Sequence, residues 1–252
     1  MRLFFMVFIF LVVSTGSLTA RAVDEPRFSK CNPYGTIPCH PGGVDRLVNS
    51  LAIGFARALS KESSQWYICG ERIEKKSWID ELAKIARALL YALDERGLDI
   101  NPWGPWGVIY KESRGNRCAI GPNPRKAAYK YKLIKEKAWY LWSEDEIVNV
   151  VTHRKWGKKL ADLGLGQVVW KREARVLENG IERIPTAREM LSLNYGVRVL
   201  AHSMEVRTRY RYNRRWKHMP WLFWPGTKPH IRYGHDVQRI VRKMEGPYNS
   251  LR

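Results

Sequence analysis

Acidic residues are scarce in this chain. Asp and Glu number 24 against 44 Lys and Arg in 252 residues, which leaves a formal charge of +20. A surface so unbalanced collects polyanions. Cysteine is rare as well, being confined to Cys31, Cys39, Cys69 and Cys118. Their spacing fits no zinc site and His40 stands isolated, so neither a metal nor a cofactor is expected. No internal repeat is present, which excludes a stacked-repeat architecture. Past residue 13 there is no long apolar run, so no integral membrane segment is expected after the leader. No cysteine follows a Leu-x-x pattern near the expected cut, which argues against a lipidated N-terminus.

What is present at the start reads as a secretory signal. Arg2 gives the positive start, and Leu3 to Val13 is an apolar run too short to favour a spanning helix. Ala20-Arg21-Ala22 supplies a small-x-small cleavage pattern, placing the cut after Ala22. Only Arg2 and Arg21 are lost with residues 1–22, so the mature charge is +18. A periplasmic or secreted location follows, and there an even number of cysteines points to disulfides. Three pairings are possible, of which Cys31 with Cys39 and Cys69 with Cys118 is favoured. Among polyanions, the cell wall with its peptide carboxylates is preferred, and nucleic acid is not expected as a partner.

The pattern along the chain is mainly helical with a small β-hairpin. Residues 23 to about 42 are Pro- and Gly-rich and belong to a Cys-containing N-terminal extension over 23–72. Val44, Leu47, Val48, Leu51, Ala52, Phe55 and Leu59 recur at helical spacing. A second helix is expected from Ser77, with Asp80 and Glu81 in its first turn, the face Trp78, Leu82, Ile85, Leu89 and Leu93, and Gly97 at its end. Pro102 and Pro105 break the chain ahead of the next helix. A basic, aromatic insertion is read at about 119–160, with Ser143 to Glu146 as a helix start. Val168 to Ile184 reads as a hairpin around Asn179-Gly180. Thr186 to Glu189 is a capping box for one helix carrying Met190, Leu193, Val197, Leu200 and Met204. The last helix is expected at about 235–244.

Glu112 is the residue with the most chemistry in its surroundings. It closes the apolar stretch Trp106 to Lys111 and is followed by Ser113, then by Gly115-Asn116, a helix stop. Apolar neighbours and the negative end of a helix both disfavour a charged carboxyl, which raises its pKa toward the range of a general acid.

Three further signals follow in order: Gly164-Leu165-Gly166-Gln167, then Asn194-Tyr195-Gly196, then Tyr212-Asn213 with Tyr233-Gly234 beyond. The ordered set, with Glu112-Ser113 at its head, resembles the soluble lytic transglycosylase and goose-type lysozyme-like superfamily over roughly residues 75 to 245. The chain departs from that pattern in four places. The segment from Cys118 to Asp162 is long, Gly166 stands where a Met is usual, Asn194 and Gly196 are close together, and Arg214-Arg215 follow Tyr212-Asn213.

The resemblance implies a lysozyme-like domain over 73–252 that acts as a monomer on peptidoglycan glycan strands. It implies that Glu112 serves as acid and then base in lytic transglycosylation. This cleaves the MurNAc–GlcNAc β-1,4 bond and leaves a 1,6-anhydromuramyl end. Ser113, Gln167, Tyr212 and Asn213 would contact substrate, with Tyr212 orienting Glu112 or the sugar. Asp162 is a possible second carboxylate, and its use would make the protein a goose-type muramidase instead. A non-catalytic basic wall-binding protein is the alternative from another class.

Overall fold

The computed structural model describes residues 43–135, 137–154, 161–209, 219–224 and 230–245. Cys31, Cys39, Tyr212, Asn213 and the expected leader lie outside the described residues. Within them are eight α-helices and three two-stranded antiparallel hairpins, the mainly helical class that the sequence predicts. No helix among the described residues is long and apolar enough to cross a membrane.

The first helix, α1 (Gly43–Glu62), buries Leu47, Val48, Leu51, Ala52, Phe55 and Leu59. It lies against α2 (Trp78–Glu95), whose face of Trp78, Leu82, Ile85, Leu89 and Leu93 is also buried. Each such side chain taken from water contributes roughly 1.5–3 kcal/mol. Between them runs the hairpin β1 (Trp66–Ile68) and β2 (Glu71–Ile73). Residues 43–72, read from sequence as an extension, therefore contribute to the same core as α2.

Three boundaries differ from the sequence expectation. The first is α3 (Trp103–Ser113), which starts directly after Pro102 and carries Pro105 inside its first turn. A proline is tolerated there because that N–H has no partner within the helix. The second is the stretch after the Thr186 capping box, which forms two helices rather than one. α6 (Ala187–Leu191) stops at Ser192, whose hydroxyl donates to Glu189 O and accepts from Tyr195 N, so that it caps α7 (Leu193–Thr208). The third is α8 (Ile231–Glu245), which begins earlier than expected, its first turn closed by Gly234 N donating to His230 O at 2.9 Å.

The insertion holds α4 (Pro122–Lys130), a 3₁₀ turn at Trp139–Leu141 and α5 (Glu144–Thr152). Both halves of the expected capping box at Ser143 and Glu146 are present. Ala128, Trp142, Ile147 and Val150 join the main core, so the segment is packed rather than looped out into solvent. Two hairpins follow. β3 (Asp162–Leu163) pairs with β4 (Val168–Val169), and β5 (Val176–Glu178) pairs with β6 (Ile181–Arg183). The β5–β6 turn is the expected Asn179-Gly180, with φ of +50° and +80°, the doubly left-handed turn that matches strand twist.

Candidate active site

The helix that carries Glu112 packs against α1 and α8. Trp106 Nε1 donates to Leu51 O of α1 at 2.9 Å, and the Phe55 ring lies 4.9 Å from the Trp106 ring. On the opposite side α8 approaches at Gly107, where a Cβ would lie 2.9 Å from Val241 and 3.0 Å from Val237. Any larger residue at Gly107 would push α8 away from α3.

The C-terminal end of α3 is built by local hydrogen bonds. Arg114 takes the first left-handed position, φ +53°, and its N–H donates to Tyr110 O at 3.1 Å. Gly115 continues at φ +75°. The Ser113 hydroxyl donates to Ile109 O at 2.9 Å and accepts from Gly115 N at 3.2 Å. Ser113 is 3% exposed, and through these bonds it shapes the helix end that presents its neighbour.

Glu112 itself is half-buried and meets α8. Tyr233 Oη donates to Glu112 Oε1 at 2.6 Å. Burial pushes the Glu112 carboxyl above its ordinary value; the Tyr233 hydroxyl and the Lys111 ammonium oppose that rise, and the charge of Asp162 adds to it. Burial and the Glu112 charge push the Tyr233 phenol up in turn, so it stays protonated and remains a donor. Lys111 is drawn aside by Asp236 at 2.9 Å and lies 5.0 Å from the centre of the Tyr233 ring. The pairs Lys111–Asp236 and Glu112–Tyr233 thus lock two consecutive residues of α3 onto α8.

Asp162 opens β3 on the neighbouring hairpin. Its carboxyl is also pushed up, by burial first and by Glu173 second, with Arg172 opposing. Gly121 N donates to Asp162 O at 2.9 Å, and a Cβ on Gly121 would lie 2.9 Å from Asp162 Oδ2. The charge of Asp162 thus adds to the rise at Glu112, while the charges acting on Asp162 itself are those of Glu173 and Arg172.

The turn after Asp162 contains Gly164 to Gln167. Gln167 adopts φ +50°, and both its backbone N–H (3.1 Å) and its side-chain Nε2 (3.2 Å) donate to Gly164 O. The Gln167 side-chain amide, expected to meet substrate, is in contact with the Gly164 carbonyl. Gly166 is the compact solution where a longer residue was expected. A Cβ there would lie 2.7 Å from Leu200 and 2.8 Å from Trp224, and Trp224 Nε1 donates to the Gly166 carbonyl at 3.0 Å.

A disulfide joins Cys69 to Cys118, the favoured pairing for these two cysteines. It ties the β1–β2 turn to the chain just past Glu112. Asn116 Oδ1 accepts from both Cys69 N (3.1 Å) and Cys118 N (2.9 Å). The sulfurs lie within 4.8 Å of Glu144 but are bonded to each other rather than offered to a metal.

Of the residues singled out in the sequence, the structure brings together Glu112, Ser113 and Asp162, with the Gly164–Gln167 turn beside Asp162. It adds Tyr233, whose signal was present as Tyr233-Gly234 ahead of an amphipathic segment. Comparison with family models, with curated proteins and with solved structures gives no match for this chain.

Proposed function

We propose that this chain is a periplasmic or secreted lytic transglycosylase that cleaves the MurNAc–GlcNAc β-1,4 bond of peptidoglycan. The observation that carries the reading is a single one. A glutamate at the end of a buried helix has its carboxyl pushed up by burial and is aimed by a tyrosine hydroxyl at 2.6 Å. A carboxyl in that condition holds its proton to higher pH than an ordinary glutamate and can give it to a glycosidic oxygen. Glu112 donates that proton as the bond breaks. The carboxylate left behind then takes the proton of the muramyl C6 hydroxyl, which closes on C1 to give the 1,6-anhydro end. Neither step asks for a metal or a cofactor. The mature charge of +18 supports capture of an anionic wall.

A second reading has its own support. Asp162 is a second carboxyl pushed up by burial, and its charge adds to the rise at Glu112; an inverting muramidase uses two carboxylates, one of them to hold the water. Mass spectrometry of muropeptides released from purified sacculi separates the two. Anhydro ends support the transglycosylase, reducing ends the muramidase, and no release by a folded protein overturns both.

A further inference from the structure

Arg125 stands out among the cations of this chain by its surroundings. It lies near the N-terminus of α4, a helix with no acid in its first turn. Its guanidinium sits 5.0 Å from the centre of the Trp139 ring, and its Nε donates to Gly121 O at 3.2 Å. Among the described residues no carboxylate pairs with it. Burial weakens its hold on its proton, and the neighbour acting on it is the Tyr129 phenol rather than an acid. Asp162, on the other side of Gly121, is not its counter-ion, because the charges acting on Asp162 are Glu173 and Arg172. A half-buried guanidinium at the positive end of a helix, with no anion of its own, costs free energy unless an anion arrives from outside.

The ring under Arg125 begins an aromatic series. Trp139 lies 6.1 Å from Tyr140, and Tyr140 lies 5.2 Å from Tyr67. Tyr140 is 42% exposed. Aromatic faces of this kind suit the apolar faces of sugar rings, while a guanidinium suits a carboxylate by paired hydrogen bonds. Gly121 stands between Arg125 and Asp162: its carbonyl accepts from Arg125 Nε and its N–H donates to Asp162 O.

We propose that Arg125, braced on Trp139, is a subsite for a free carboxylate on the stem peptide of a glycan strand whose sugars run over Trp139 and Tyr140. The inference rests on the reading of Glu112 as a peptidoglycan-cleaving acid and names what that site selects: strands with free-acid stems over strands with amidated or absent stems. Arg125 binds the branch, and the aromatic rings support the backbone of the same polymer.

The test uses the full mature protein with Glu112→Gln, so that the ligand survives. Calorimetric titration at 0.15 M salt compares soluble glycan strands in three forms: free-acid stems, the same stems amidated, and no stems. With Arg125 present, free-acid strands should bind about tenfold more tightly than amidated ones, as expected for a charge-assisted pair. Arg125→Gln should bring that ratio near one, and Arg125→Lys should retain part of it. Lys126→Gln, which removes an equal charge from an exposed neighbouring position, should leave the ratio intact.

An unchanged ratio in Arg125→Gln, an equal fall in Lys126→Gln, or no preference at the outset each overturns the subsite while strands still bind. Failure of every strand to bind, with native-like melting curves, overturns the peptidoglycan reading and the subsite with it. A misfolded Arg125→Gln would show in its melting curve, and Trp139→Leu, which removes the brace and keeps the charge, then decides by the same ratio.

Discussion

Two pairs among the described residues, each a tyrosine hydroxyl donating to a glutamate, behave oppositely. Tyr195 Oη reaches Glu178 Oε1 at 3.0 Å beside the β5–β6 hairpin, and Tyr233 Oη reaches Glu112 Oε1 at 2.6 Å between α8 and α3. Glu178 also accepts from Arg183 Nε at 2.6 Å, and Arg183 forks onto Glu189 at 2.8 and 2.7 Å. Arg183 first and Tyr195 second hold the Glu178 carboxyl below its ordinary value, and Arg183 brings Glu189 down to about 2. Among the described residues no arginine pairs with Glu112; its neighbour Lys111 is committed to Asp236, and burial pushes the carboxyl up. The tyrosine is therefore not what decides whether a carboxyl is pushed up or held down. The distinction comes from whether burial or a guanidinium dominates around the acid.

The sharpest way to break that comparison is to neutralise each acid. Glu112→Gln should lower turnover on sacculi by about 10²–10⁴-fold, the usual worth of a general acid–base group, while Glu178→Gln stays near wild type. A Glu112→Gln protein with more than about a tenth of wild-type turnover would remove Glu112 from the chemistry.

The tyrosines come next. Tyr233 favours the charged form of Glu112, so Tyr233→Phe should raise the Glu112 pKa further. Because the acid must be protonated, activity falls as pH rises through that pKa. The alkaline limb of the pH–rate profile should therefore move up by about one pH unit, since a hydrogen bond to a charged group is worth roughly 1.5–3 kcal/mol. Tyr195→Phe should leave the limb where it is. A Tyr233→Phe limb that moves down would mean that the hydroxyl serves the neutral acid instead.

Asp162 should matter less. Under transglycosylation Asp162→Asn keeps turnover within ~10-fold of wild type, short of a general acid–base loss. Collapse of activity together with reducing ends in the wild-type digest would install the muramidase.

The smallest expected effect is on stability, and its sign follows from the direction of each shift. The folded Glu112 pKa is raised, so its contribution to stability is fully present below the ordinary glutamate pKa and is lost as pH rises through the folded value. Glu112→Gln should thus raise Tm at pH 8 and leave it unchanged at pH 4, by on the order of 2–4 °C for each kcal/mol relieved. Glu178 runs the other way. Its stability is present above the ordinary pKa and fades as pH falls through the lowered one, so Glu178→Gln should give no gain at pH 8. Equal Tm profiles for the two variants in differential scanning calorimetry would erase the contrast.

Much of the fold was legible because its signals are local. Capping boxes at Ser143 and Thr186 and the Asn179-Gly180 turn need only a few neighbouring residues to form, and all three are present. The faces of α1 and α2 were legible for the same reason, since 3.6-residue spacing survives whatever they pack against. Glu112 could be read because its apolar run and its helix stop are contiguous.

Tyr233 could not be assigned to it, because their hydrogen bond spans α3 to α8 and depends on where α8 begins. Gly234 beside it is a packing glycine: a Cβ there would lie 1.8 Å from Leu222. Tyr212 and Asn213, expected at the substrate, lie outside the described residues, and so do Cys31 and Cys39. The break at Ser192 was hidden because a serine within a periodic pattern gives no sign that its hydroxyl will cap the next helix.

Asn116 has a bearing on how the Cys69–Cys118 bridge is made. A single amide oxygen draws in the backbone N–H groups of both cysteines, so the segments to be joined are aligned by a contact that does not itself depend on oxidation. Such alignment gives the two thiols a high effective molarity for each other, and the encounter becomes intramolecular rather than a search. A bridge placed this way should re-form quickly after transient reduction and should close correctly without shuffling through wrong partners. Asn116→Ala would slow that closure while leaving the oxidised protein folded.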